Sequence, residues 1–182
     1  MSRAEELFQA WLDELGLVGD PEMAGTAKRF TEMLAEFVPR ADDGLSRDFT
    51  LVPVQGSGGG SPTPVAVRSM PFHAFCAHHL VPFFGWASVS YLPGAKLAGF
   101  GSIAKVVQHF AKRPTLQERL ANQVADSLQR ALEPNGLVVR LVARQMCMEM
   151  RGARVPGEVE VLAVRGTVDA HLLDMARVSE RV

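Results

Sequence analysis

Phe72-His73-Ala74-Phe75-Cys76-Ala77-His78-His79-Leu80-Val81-Pro82-Phe83-Phe84-Gly85 lies where one extended stretch gives way to the next. Val65 to Met70 and Phe83 to Leu92 are rich in β-branched and aromatic residues, and Pro93-Gly94 closes the second. Both read as strands, with Phe75 to His79 between them. Cys76 and His79 stand three residues apart there, a spacing that lets a thiolate and an imidazole reach one ion from a tight turn. The only other thiol is Cys147, which the pattern places on a strand over Leu137 to Met150 able to run beside that turn. Two thiolates and one imidazole leave a fourth tetrahedral position for water, the mark of catalytic zinc. A closed structural site with His78 or His73 as fourth ligand is a competing reading, and so is a plainly buried pair of thiols.

Upstream, Leu7, Phe8, Trp11, Leu12 and Leu15 recur at helical spacing over residues 3 to 17, with Glu5, Glu6, Asp13 and Glu14 opposite them, which predicts an amphipathic helix. Asp20-Pro21 breaks it, and a second helix runs to about Phe37, with Met23, Phe30, Met33, Leu34 and Phe37 on its apolar side. Residues 1 to 39 therefore read as an N-terminal helical arm. Residues 40 to 64 read as an irregular loop, because the run Gly56 to Pro62 buries too little surface to offset the entropy of ordering it. Downstream, Ile103 to Phe110 is helical, and Arg113-Pro114-Thr115 restarts a longer helix with Leu116, Leu120, Val124, Leu128 and Leu132 on one face. Pro134-Asn135-Gly136 predicts a turn, Glu158 to Asp169 a strand, and His171 to Val182 a short terminal helix. That order implies an α+β domain over residues 65 to 182: an antiparallel four-stranded sheet with helices packed on one face.

At 182 residues and 47% hydrophobic, the chain has length for one ordinary domain and a short appendage. Nineteen basic against twenty acidic side chains give a formal charge of −1, which speaks against nucleic acid or an anionic membrane as partner and for a small molecule. No stretch reaches the ~20 apolar residues a membrane span needs, and the opening residues lack a basic run before an apolar core. A cytoplasmic protein is expected, and there a distant cysteine pair points to metal rather than a disulfide.

The segment Phe72 to Gly85 resembles the metal segment of the GTP cyclohydrolase I family. Tyr91-Leu92-Pro93, Gly99-Phe100-Gly101, Val107 to Pro114, Leu116-Gln117-Glu118-Arg119-Leu120, Gln145-Met146-Cys147 and Met150-Arg151-Gly152 follow in that family's order and spacing, and several motifs in register are far more specific than one metal pattern. The resemblance implies the tunnelling fold, with subunits assembled into a homo-oligomer, typically a decamer of two pentameric rings with active sites at subunit interfaces. It implies Zn2+ held by Cys76, His79 and Cys147, with His78 as general acid and base beside it. It also implies Glu118, with Gln117, at the guanine edge, and Phe100, Gly101, Ser102, Lys105, Arg151 and Arg29 about the phosphates. The implied substrate is a purine nucleotide, GTP or a relative. Hydrolysis at C8 opens the imidazole ring, releases formate and leads to 7,8-dihydroneopterin triphosphate, the entry to pterin and tetrahydrofolate synthesis.

The chain also departs from the family pattern. Ala77 replaces a glutamate, and Gln145 stands at the second catalytic position in place of a histidine, so it can hydrogen-bond there but cannot relay a proton. Gly101-Ser102 replaces a serine-lysine pair, Lys105 an arginine, and Glu32 a lysine. The strand after Gly152 carries a single threonine, Thr167, where the family is rich in Ser and Thr. These changes frame two competing expectations. One is a divergent cyclohydrolase acting on GTP or a less phosphorylated analogue, with arrest at a formamidopyrimidine as a variant. The other is a catalytically silent, zinc-containing ring that binds a purine or pterin and regulates a partner. Nitrile reduction, known on a related fold, ranks low because it needs a cysteine free of metal.

Overall fold

The computed structural model describes residues 1–17, 19–38, 50–54 and 63–177. The chain divides into two compact units, Met1–Ala41 and Asp42–Val182. Most of the segment expected to be an irregular loop, the Gly56 to Pro62 run included, lies outside the described residues. Among those described, no helix is long and apolar enough to cross a membrane.

In the first unit, α1 (Arg3–Glu14) opens on a capping box in which Ser2 Oγ accepts from Glu5 N and Glu5 Oε2 accepts from Ser2 N, satisfying two otherwise unpaired donors. It stops short of the expected Leu17 because Gly16 turns left-handed at φ 71°, a common way to end a helix. The single helix expected before Phe37 is instead a 3-10 turn, Pro21–Met23, and α2 (Thr26–Glu36), separated by Gly25 at φ 76°. Phe8 stacks on Phe30 with centroids 4.2 Å apart and joins the two helices.

The second unit contains β1 (Leu51–Pro53), β2 (Val65–Phe75), β3 (Pro82–Leu92), β4 (Lys96–Ala98), α3 (Phe100–Ala111), α4 (Gln117–Leu132), β5 (Gly136–Gln145), the single turn α5 (Met146–Glu149), β6 (Glu158–Gly166) and α6 (Ala170–Met175). Four strands form one antiparallel sheet in the order β2-β3-β5-β6. Val106 and Val107 of α3, with Leu120, Val124 and Leu128 of α4, bury against Phe72, Phe83, Val89, Leu137, Val139 and Leu141 of the sheet. This is the expected α+β tunnelling fold. Each such Leu, Val or Phe stabilises by about 1.5–3 kcal/mol when fully buried.

Three features escaped the sequence. First, β2 runs on to Phe75 rather than ending at Met70, because a bulge between Val67 and Met70 shifts its register against β3. Ser69 sits there at φ 53° and donates its N–H to Ser88 Oγ. Odd residues Val65 and Val67 pack on the core before the bulge, and even residues Met70, Phe72 and Ala74 after it, so no single alternation spans the strand. Second, Leu51–Pro53 pairs with Lys96–Ala98 in a two-stranded ribbon too short to carry an alternation signal. Third, the strand expected to reach Met150 ends at Gln145, and Cys147 lies on α5, not on a strand. Neither β3 nor β6 offers a pairing partner beyond Gln145, and a chain without a partner curls to satisfy its own backbone.

Gly85 faces Ala143 across β3 and β5, and a Cβ there would lie 2.0 Å from the Val142 carbonyl oxygen. Gly85→Ala is therefore expected to abolish cooperative folding. Leu128→Ala, which opens a cavity in the helix layer, is expected to fold but lose about 2–5 kcal/mol. Urea melts check both; a Gly85→Ala protein as stable as the parent would contradict the register described.

Candidate active site

The turn after β2 is set by its own backbone. Cys76 N donates to Val81 O at 2.9 Å, and Leu80 N to Cys76 O at 2.8 Å. Leu80 adopts φ 51°, a left-handed conformation that costs a non-glycine residue roughly 1 kcal/mol or more. The segment just ahead of α4 braces the turn: Thr115 N donates to Phe75 O at 2.8 Å and Ala77 N to Thr115 O at 2.9 Å. The outcome is a buried Cys76 and an exposed His79 on one lip.

The second contributor arrives along β5. Gln145 pairs with Phe83, and Pro82 beside it pairs with Phe75. The ends of β2 and β5 therefore meet on adjacent residues of β3, and the next turn of each chain segment carries a thiol. Cys76 Sγ, a His79 ring nitrogen and Cys147 Sγ all lie within 4.8 Å of one another; Cys76 Sγ and His79 Nδ1 are 4.0 Å apart. Burial, and then the neighbouring Cys76 thiol, push the Cys147 thiol above its ordinary range. Two soft sulfurs with an imidazole are the donor set that zinc prefers. The residues fit such an ion.

The turn bearing Cys147 is clamped. Arg144 grips Glu149 two-handed, Nε to Oε1 at 2.9 Å and Nη2 to Oε2. Each partner stabilises the other's charge, holding the Glu149 carboxyl low and the Arg144 guanidinium high. Arg144 also lies over the Phe84 ring at 6.0 Å, and Phe84 stacks on His73. His73 is stacked there on β2 and is not among the three residues gathered within 4.8 Å, so the competing reading of a closed site with His73 as fourth ligand gains no support. His78 is exposed and edge-on to His79, with ring centroids 6.2 Å apart.

The remaining expected site residues divide. Glu118 is exposed in the first turn of α4, whereas Gln117 is 3% exposed and bonded to the carbonyls of Leu141 and Val159 and to Gln145. Within this chain its amide is fully engaged and does not face outward beside Glu118. Arg151 lies beside the Cys76, His79 and Cys147 group: its Nη1 donates to His79 Nε2 at 2.8 Å, since a guanidinium has no acceptor to offer. Phe100, Gly101 and Lys105 are exposed on α3, but Ser102 is buried and its Oγ accepts from Thr50 N at 2.9 Å. Ser102 thus ties down the segment leading into β1 rather than facing solvent. Arg29 belongs to the first unit, donating to Ala24 O and Thr26 Oγ1, and Glu32 there pairs with Lys28 at 3.9 Å. Arg144, Glu149 and Thr115 were not expected at the site. The only trace of the first two was a pair of opposite charges flanking Cys147.

The sequence pattern of the family described as GTP cyclohydrolase I matches residues 4–180. The GTP cyclohydrolase 1 of Streptococcus suis (strain 05ZYH33) is 41% identical over 169 residues, covering 90% of this chain and 88% of its own length. That of Bacillus subtilis (strain 168) is 38% identical over 184 residues, covering 98% and 95%. A solved structure described as the archaeosine synthase QueF-Like in the apo form aligns with 60% of this chain and 100% of its own, with a TM-score of 0.46 and 23% identity. On the breadth of the match to its sequence pattern and relatives, the chain belongs to the GTP cyclohydrolase I family.

Proposed function

We propose that the chain is a zinc-dependent hydrolase that opens the imidazole ring of a guanine nucleotide at C8. The observation that carries this reading is the gathering of Cys76, His79 and Cys147 within 4.8 Å at the mouth of the sheet, beside an exposed His78. When bound, zinc supplies Lewis acidity that brings water toward hydroxide at neutral pH. His78 takes up and returns a proton at the reacting ring, a task suited to imidazole near pH 7. Glu118 accepts two parallel hydrogen bonds from the guanine N1–H and exocyclic amine. Arg151 and Lys105 hold phosphate, and Phe100 and Gly101 border it. Subunits associate as a decamer of two pentameric rings in the cytoplasm.

Gln145 favours one form of this chemistry. An amide cannot pass a proton, so steps after ring opening lack a second acid-base group, and the formamidopyrimidine is the product this site supports best. Completion to 7,8-dihydroneopterin triphosphate is the alternative outcome, and a silent purine- or pterin-binding ring is the alternative class.

Three measurements test the reading. Zinc-loaded protein incubated with GTP, GDP, GMP and guanosine is expected to add the mass of water to at least one of them with little formate release. Stoichiometric formate would show the full reaction, and ligand binding without any product would establish the silent ring. Cys147→Ala is expected to lose stoichiometric zinc; full retention would remove Cys147 from the metal site. Arg144→Ala, which frees the α5 turn, is expected to weaken zinc about tenfold in chelator competition while leaving the metal-free melting temperature within a few degrees. Unchanged zinc affinity would make the clamp irrelevant to the metal.

A further inference from the structure

Gln117 and Gln145 fix each other's orientation. Gln117 Nε2 donates to Leu141 O at 3.1 Å and to Val159 O at 2.8 Å. An amide nitrogen carries two N–H groups, so both are engaged and only Oε1 is left to face Gln145. Gln145 answers with its own nitrogen, Nε2 to Oε1 at 2.6 Å. The flipped amide would set two carbonyl oxygens against each other beside a nearly buried group, leaving both unmatched at a cost of about 1–3 kcal/mol. Gln145 Oε1 is thereby turned toward the metal cluster, 4.0 Å from Cys147 Sγ.

That oxygen only accepts. A ligand group bearing hydrogen can bond to it, and a bare lone pair is repelled. We infer that Gln145 is a specificity-determining residue that presents a locked acceptor to the bound nucleotide and selects a ligand N–H or O–H, with Gln117 as the positioning residue that sets it. This rests on the guanine-nucleotide reading above. Two groups of such a ligand qualify: a ribose hydroxyl, or a former imidazole nitrogen that gains hydrogen when the ring opens.

Zinc-loaded parent and Gln145→Met proteins are compared for binding of GTP and of its ring-opened formamidopyrimidine, read by stopped flow before turnover. Gln145→Met is expected to weaken at least one probe about three- to tenfold. A loss with GTP identifies the ribose hydroxyl as donor; a loss confined to the formamidopyrimidine identifies the ring-derived N–H. Equal affinities for both probes overturn the inference alone, whereas a parent that binds neither overturns the guanine-nucleotide reading with it. Gln117→Met is expected to weaken the same probe and add nothing in the double variant, while additive losses would mark Gln117 as merely structural. If Gln117→Met fails to fold, hydrogen exchange of the Gln145 side-chain amide in the parent decides: slowed exchange is expected, and free exchange overturns the lock.

Discussion

The pairing register of β3 is the constraint on which the site depends. Pro82 and Phe83 are consecutive residues, yet one pairs with the last residue of β2 and the other with the last residue of β5. Cys76 follows the first pairing and Cys147 follows the second by two residues, so the sheet itself delivers the thiols to one place. A slip of one residue would move a strand by about 3.3 Å and turn its side chains to the opposite face. Donors gathered within 4.8 Å would not survive that. The bulge at Ser69 and the close approach at Gly85, where a side chain would meet the Val142 carbonyl, belong to that register.

Around that alignment the protein adds restraints of different kinds. The lip carrying Cys76 and His79 is held by backbone hydrogen bonds, some from the segment that starts α4. The turn carrying Cys147 is held by charge, through Arg144 and Glu149. Gln145, between them, is held by an amide relay anchored on the carbonyls of β5 and β6. Outer groups of this sort orient metal ligands and limit the ways they relax. Burial, and then the nearby Cys76 sulfur, raise the Cys147 thiol above its ordinary range.

Among the departures from the family pattern, Ser102 is buried and Gln145 half-buried, while Glu32, Ala77, Gly101 and Lys105 are exposed. Gln145 keeps the ability to accept a hydrogen bond while giving up proton transfer. Glu32 is matched by Lys28 on the same helix, which explains how a carboxylate is tolerated there without saying anything of phosphate. Ser102 has been drawn inside to hold Thr50.

Local chemistry determined much in advance. Helical spacing at Leu120, Val124 and Leu128, the Pro93-Gly94 and Pro134-Asn135-Gly136 turns, and the Cys-x-x-His spacing are short-range signals, legible because periodicity and turn residues act over a few positions. The distant Cys147 could be named as a partner because the chain holds no other second thiol. The tertiary structure alone decided that β2 switches parity at a bulge, that Cys147 sits on a helical turn beyond the last ladder bond, and that Gln117 faces inward while Glu118 faces out. Those outcomes depend on which strand edge is available to pair and which carbonyls stand opposite a side chain. Such relations exist only once residues remote in sequence have been packed together, and no local pattern encodes them.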